Sequence, residues 1–240
     1  MSEISTSWHS YPSLYALGHR ALVELLDDPV IVQEKVDGSQ ISFGLFEDGY
    51  RVKSKSCQLN VDAPEKMFQK AVDVIKTLDL KPGWTYRGEY LQKPKHNALA
   101  YDRHPNNHII IFDINIDHEH YLPYEEVAAE AARIGFEVVP LVYSGMIEDA
   151  STVQGFLERV SCLGGQKIEG VVIKNYSRFG PDKKALMGKF VSEAFKEVHR
   201  VTWKQDNNNS GKDFVQLLGE KYCHPTRWNK AIQHLREAGQ

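Results

Sequence analysis

Short runs in which apolar and polar residues alternate dominate the first half of the chain. Val30 to Lys35, Gln40 to Phe46 and Tyr50 to Lys55 read as strands. Turn signals at Asp37-Gly38 and Asp48-Gly49 separate them, so the stretch is expected to form an antiparallel meander. From Pro64 to Leu78 the period changes. Met67, Phe68, Ala71, Val72, Ile75 and Leu78 recur at the spacing of one helix face. Strands are expected again over Trp84 to Leu91 and His108 to Asn115. Pro123 is placed to open a helix that runs to Ile134 and stops at Gly135. A strand over 136–143, a helix near Val153 to Val160 and a buried strand from Ile168 to Lys174 follow. Helices do not alternate regularly with strands, which favours an α+β fold over a doubly wound parallel sheet.

The polar, turn-rich stretch from Gln205 to Gly211 is the one segment long enough to act as a linker. It divides the chain into a main domain, 1–204, and a short appendage, 205–240. There Val215, Leu217 and Leu218, then Trp228, Ile232 and Leu235, are spaced as two short amphipathic helices. So short a tail cannot build its own core and is expected to pack on the main body.

A formal charge of -3 rules out a uniformly basic surface, so any nucleic-acid contact must use local clusters of Lys and Arg. Three scattered cysteines, Cys57, Cys162 and Cys223, argue against a disulfide framework or a zinc site. The chain lacks both a leader-like apolar start and any run of about 18 apolar residues. A cytoplasmic protein without a membrane anchor is therefore expected.

Four segments carry candidate chemistry. In Glu34-Lys35-Val36-Asp37-Gly38-Ser39 a lysine ends a strand just before an Asp-Gly pair. Burial and neighbouring cations favour the neutral amine, which is a nucleophile, but the hexapeptide alone fits an exposed lysine at a hairpin equally well. Tyr86-Arg87-Gly88-Glu89 places a carboxylate beside a glycine inside a strand. Such a glycine often marks close approach of a ligand or backbone, and a solvated edge strand is the simpler reading of the piece in isolation. Lys167 to Lys174 is an apolar strand with Glu169 at its entry and Lys174 at its exit. Met187-Gly188-Lys189-Phe190 sets a lysine beside a glycine. The loop bearing His96, His104 and His108 with Lys93, Lys95 and Arg103 reads as a solvated connection.

Together and in this order, the four segments resemble the covalent nucleotidyltransferase superfamily of polynucleotide ligases and capping enzymes. The resemblance covers about residues 30–190. It implies a nucleotidyltransferase (ATP-grasp-like) fold of antiparallel sheets flanked by helices, with the short helical tail appended. Lys35, Asp37 and Gly38 match K-x-D-G, which makes Lys35 the residue that takes AMP from ATP. Glu89 falls where relatives bind the nucleotide sugar. Ile110-Ile111-Phe112-Asp113 resembles the strand whose aromatic residue stacks on adenine, nominating Phe112. Glu169 to Lys174 resembles E-G-h-V-h-K, whose glutamate serves a divalent metal, Mg²⁺ or Mn²⁺, and whose lysine lies near the phosphates. Lys189 resembles a lysine of the final K-x-K element, which contacts the α-phosphate. Two departures stand out. Met187 occupies the first position of that element, leaving Lys184 as a substitute, and Lys53 and Lys55 stand where an arginine is usual, with Lys55 the candidate.

The tail is too short for the five-stranded OB fold that capping enzymes and most DNA ligases carry. This favours phage-type RNA ligases, the RNA ligase 2 family in particular, which also share the Glu-Lys pair and so nominate Glu34 as a contact to the adenine amino group. The implied activity is ATP-dependent sealing of RNA 5′-phosphate and 3′-hydroxyl ends through lysyl-AMP and adenylylated-end intermediates. A minimal ATP-dependent DNA ligase and a non-catalytic nucleotide- or RNA-end-binding module are the alternatives. The joint presence of Lys35, Glu89, Glu169, Lys174 and Lys189 argues against the module.

Overall fold

The computed structural model describes residues 6–148 and 150–192. The expected linker, the two C-terminal helices and Cys223 lie outside the described residues. In chain order the elements are β1 (Tyr15–Ala16), β2 (Val30–Glu34), β3 (Ser39–Phe46), β4 (Gly49–Ser54), β5 (Gln58–Leu59) and α1 (Gln69–Ile75). Then come β6 (Thr85–Tyr90), β7 (Ile109–Asp117), β8 (His120–Tyr121), α2 (Tyr124–Arg133), β9 (Glu137–Val138), β10 (Leu141–Gly145), α3 (Ala150–Phe156), β11 (Gly170–Phe179) and β12 (Ala185–Val191). The fold is α+β, as the irregular order of helices and strands implies.

The strands form two sheets. One runs β1-β12-β11-β2-β10, and the other runs β5-β4-β3-β6-β7-β8 with β9 added on β7. Pairing is antiparallel except for β1 on β12 and β9 on β7, which are parallel. Strand alternation gives each sheet an outer and an inner side. In the larger sheet, Ile41, Phe43, Val52, Tyr86, Tyr90, Ile109 and Ile111 pack with Val72 and Ile75 of α1 and Val127 and Ala131 of α2. In the smaller sheet, Val30, Val32, Val171, Ile173 and Leu186 pack with Leu22, Leu25 and, from α3, Val153 and Phe156. The intervening residues, Gln33, Lys174 and Met187 among them, turn toward the other sheet, and the two inner sides enclose a cleft.

Several sequence expectations change. Val30 to Lys55 is not one meander. The hairpin at Asp48-Gly49 forms, with Gly49 at φ 108°, but β2 and β3 lie in different sheets, so Lys35-Val36-Asp37-Gly38 crosses between sheets instead of turning a hairpin. Likewise 136–143 is two strands. β9 belongs to the larger sheet and β10 to the smaller, because Pro140 cannot donate to a ladder and the chain changes sheets there. The helix expected from Pro64 shortens to α1, preceded by one turn that the Phe68 N–H closes on the Glu65 carbonyl. Strand β12 had no counterpart in the periodicity. Among the described residues no helix is long and apolar enough to cross a membrane.

Candidate active site

Lys35 directly follows β2 and Glu169 directly precedes β11. The Lys35 N–H donates to the Gly170 carbonyl at 2.8 Å, so the antiparallel ladder sets both side chains at the same mouth of the cleft. Lys35 Nζ lies 2.6 Å from Glu169 Oε1, and the glutamate is almost fully buried. Crossing from one sheet to the other then needs Gly38. A Cβ there would stand 2.9 Å from the Tyr90 carbonyl oxygen and 3.1 Å from Glu89 Oε2. Its φ is ordinary, so close approach, not turn conformation, selects glycine.

Asp37 works through a loop. Its Oδ2 accepts the Ala98 and Leu99 N–H groups, each at 2.8 Å, and the Asp37 N–H donates to the Tyr101 hydroxyl. Asn97 donates to the Gly38 carbonyl at 2.7 Å. The crossing segment and loop 97–101 therefore lock each other. The carboxylate of Glu34 is committed as well, accepting the Ser161 hydroxyl at 2.5 Å and the Cys162 N–H at 2.8 Å. An adenine contact from Glu34 would have to be made by oxygens already bonded.

A β-bulge aims Phe112. Arg87 pairs with Asp113 and Gly88 with Ile111, so the register skips Phe112. The extra residue makes Phe112 and Asp113, adjacent in sequence, both face the cleft, while Ile111 and Ile114 both face the outer core. Gly88 permits this. A Cβ there would lie 2.8 Å from the Ile110 carbonyl oxygen.

The cleft is lined by Lys35, Glu89, Phe112 and Lys174 together with Tyr11, Leu14, Gln33, Gln40, Val139 and Val172. Lys174 is buried at its floor, with Nζ 2.9 Å from Asp113 Oδ2, 2.5 Å from Gln33 Oε1 and 3.0 Å from the Phe112 carbonyl oxygen. Burial pulls the Lys174 ammonium below its usual range, and Asp113 opposes this. Glu89 is pushed up to about 8 by burial, with Lys35 acting against the shift and Glu169 and Asp37 adding to it. Burial also raises Glu169, again opposed by Lys35. Lys189 is lowered by burial and by the charges of Lys35 and Lys55. Lys55 is exposed, yet its field reaches both Glu89 and Lys189. Lys184, the candidate substitute for the missing first lysine, instead donates to the Ser10 carbonyl at 2.7 Å, and Met187 is buried against Ala185 and Tyr121.

Sequence reasoning missed Tyr11. Its hydroxyl donates to Asp113 and its ring stands edge-on to Phe112 at 5.2 Å. Arg87, wholly buried, holds this N-terminal segment in place by donating to the carbonyls of Ser7 and His9. No local pattern announces a segment whose order comes from distant partners.

The glutamates also bear on a metal. Oε2 of Glu89 and of Glu169 are buried with no hydrogen-bond partner, and no cluster of three metal-ligating side chains occurs among the described residues. That donor set fits a cation held by one or two carboxylates and completed by phosphate oxygens and water.

The RNA ligase family model matches residues 28–191, a span that contains Lys35, Glu89, Phe112, Glu169 and Lys189. The chain belongs to the RNA ligase family. Among solved structures, the chain resembles the Naegleria gruberi RNA ligase with PPi at a TM-score of 0.55 and 16% identity. It also resembles variants of that enzyme with ATP and Mn (0.56, 18%) and with AMP and Mn (0.55, 18%). Each match covers 80% of this chain and 58% of the Naegleria chain, and at these identities the likeness is one of fold. No curated protein matches the sequence significantly.

Proposed function

We propose that this chain is an RNA ligase that takes AMP from ATP onto Lys35 and spends it joining a 5′-phosphate to a 3′-hydroxyl of RNA. The observation that carries the reading is the lysine itself, held 2.6 Å from Glu169 at the mouth of a cleft that Glu89 and Phe112 also line. In the first step the Lys35 amine attacks the α-phosphorus, a P–N bond forms and pyrophosphate leaves. An ammonium held by a carboxylate is no nucleophile, so Lys35 must part from Glu169 and lose its proton first. The cleft must also widen. About 50 Å³ is open, against roughly 300 Å³ or more for ordinary small-ligand sites.

Phe112 would stack on the base, Glu89 would meet the sugar, and Lys189 and Lys55 would offset phosphate charge as it develops. Glu169, with its unpartnered Oε2, would hold Mg²⁺ or Mn²⁺, which supplies further charge neutralisation. In the second step an oxygen of the RNA 5′-phosphate attacks the same phosphorus and releases Lys35. In the third, a 3′-hydroxyl attacks the RNA phosphate and AMP departs.

The test is incubation with ATP, Mn²⁺ and 5′-labelled, phosphorylated RNA, both nicked duplex and single-stranded, beside the DNA counterparts. An adenylylated RNA end followed by sealed RNA supports the proposal. Sealing of DNA alone would make the chain a DNA ligase, and neither product would leave a binding module.

A further inference from the structure

A cavity larger than the Lys35 cleft lies elsewhere in the molecule. About 500 Å³ opens between the N-terminal segment and the hairpin joining β11 to β12, lined by Tyr15, His19, Arg20, Asp182 and Lys184 among others. A single nucleotide fits such a volume. It lies at the edge of the smaller sheet, where Tyr15 pairs with Gly188 and Ala16 with Lys189. Strand β1 is therefore the immediate neighbour of the strand that carries a candidate phosphate lysine, and three strand spacings, about 14 Å, separate it from β2, which leads into Lys35.

Two features of this cavity suit a base and a phosphate. The rings of Tyr15 and His19 stack face to face, with centroids 4.2 Å apart and planes 7° from parallel. Tyr15 nevertheless remains 40% exposed, so a large aromatic surface is held flat and open. His19 is fixed from the other side, because its Nδ1 accepts the Ala21 N–H, and neither ring needs ordering before it receives a third. Arg20 and Lys184 stand on the rim. Lys184 commits one donor to the Ser10 carbonyl and has further N–H groups to offer a phosphate. An aromatic platform flanked by cations is how single strands are held without reading their sequence, since every base has a face to stack and every nucleotide a phosphate to neutralise.

We propose that this cavity binds one nucleotide of the RNA strand, its base stacked on the Tyr15–His19 pair and its phosphate beside Arg20 and Lys184. The identity of the strand rests on the ligase reading. Tyr15, His19 and Arg20 lie outside the 28–191 family match and Lys184 lies inside it, so the stacking half of the subsite comes from the N-terminal segment.

Fluorescence anisotropy with a short, 5′-phosphorylated, 3′-labelled single-stranded oligoribonucleotide tests it. Tyr15→Ala is expected to weaken binding by about 5- to 150-fold, the value of one base–aromatic stack, and Tyr15→Trp to preserve it. Arg20→Ala should lower the slope of log affinity against log salt by about 0.7, one phosphate contact of a single strand. Retained labelling of Lys35 by α-labelled ATP shows that Tyr15→Ala is folded with an intact cleft. In the wild-type protein, RNA bearing 4-thiouridine should photocrosslink to Tyr15 or His19, a readout independent of any variant. Wild-type affinity in Tyr15→Ala, or crosslinks that map only elsewhere, would overturn the proposal. Failure of the ligase reading is separately visible, as RNA binding with Lys35 never labelled.

Discussion

Gly170 is where the cleft is most sensitive to a single methyl group. It opens β11 opposite Val191, and a Cβ added there would stand 2.2 Å from the Phe190 carbonyl oxygen and 2.8 Å from Val191 Cα, where ordinary contact begins near 3.4 Å. Both are backbone atoms, so no side-chain rotation relieves the clash, and β12 must retreat by about 1.2 Å to restore the 3.4 Å contact. Overpacking of this kind costs about 1–3 kcal/mol, which lowers Tm by roughly 2–12 °C for a protein of this size. The larger effect is on chemistry. Lys189 adjoins Phe190, and the Lys35 N–H is bonded to the Gly170 carbonyl, so the retreat changes the spacing between nucleophile and phosphate lysine. A misplacement of about 1 Å costs on the order of 100-fold in rate. Single-turnover formation of lysyl-AMP and calorimetric Tm would be measured for Gly170→Ala beside Gly155→Ala. At Gly155, in α3, a Cβ meets nothing within 4 Å, and the change should stabilise by about 0.5–1 kcal/mol. Gly170→Ala labelling at the wild-type rate with unchanged Tm would refute the reasoning.

Glu89, held near 8 in the fold against 4.5 ordinarily, keeps its proton over a pH range in which the unfolded chain has lost it. Its contribution to stability is therefore complete below about pH 4.5 and lost as pH rises through 8, by at most about 5 kcal/mol. Glu89→Gln should flatten this fall in urea titrations at pH 5 and 8, and an unchanged pH dependence would contradict the burial argument. Lys174→Met removes the cation from a buried pair and should cost about 3–5 kcal/mol, with Asp113 left to the hydroxyls of Tyr11 and Tyr176. Adding Asp113→Asn should recover part of that loss, and denaturant midpoints that show a single-variant cost below about 1 kcal/mol would mean the pair is solvated.

Much of the framework could be read from period and punctuation. Strands β3, β4 and β6 follow alternation, β7 follows an apolar run, and α2 follows the Pro123 start and Gly135 stop. What failed were positions where one local signal serves two structures. Asp37-Gly38 carries the dipeptide of a tight turn, but its glycine is needed because Tyr90 and Glu89 press on it from another sheet. The run over 136–143 is apolar apart from Glu137 and Pro140, and only Pro140 marks the change of sheet. At the site, the resemblance of the motifs around Lys35, Glu89, Phe112, Glu169 and Lys189 to a known superfamily is what nominated them. The partners that position them did not show in the sequence. Asp113 beneath Lys174, the bulge that turns Phe112 inward, and Tyr11 across the cleft are all products of tertiary contact, and each was invisible to a window of neighbouring residues.

The central claim is that Lys35 is the nucleophile, and covalent labelling tests it most directly. Wild type and Lys35→Ala are incubated with α-labelled ATP and Mn²⁺, with α-labelled GTP as control, and resolved under denaturing conditions, with the labelled peptide mapped by mass spectrometry. The account predicts label from ATP alone, carried on Lys35 and absent from the variant. Label that persists in Lys35→Ala, or a wild-type protein that never acquires it, would contradict the account.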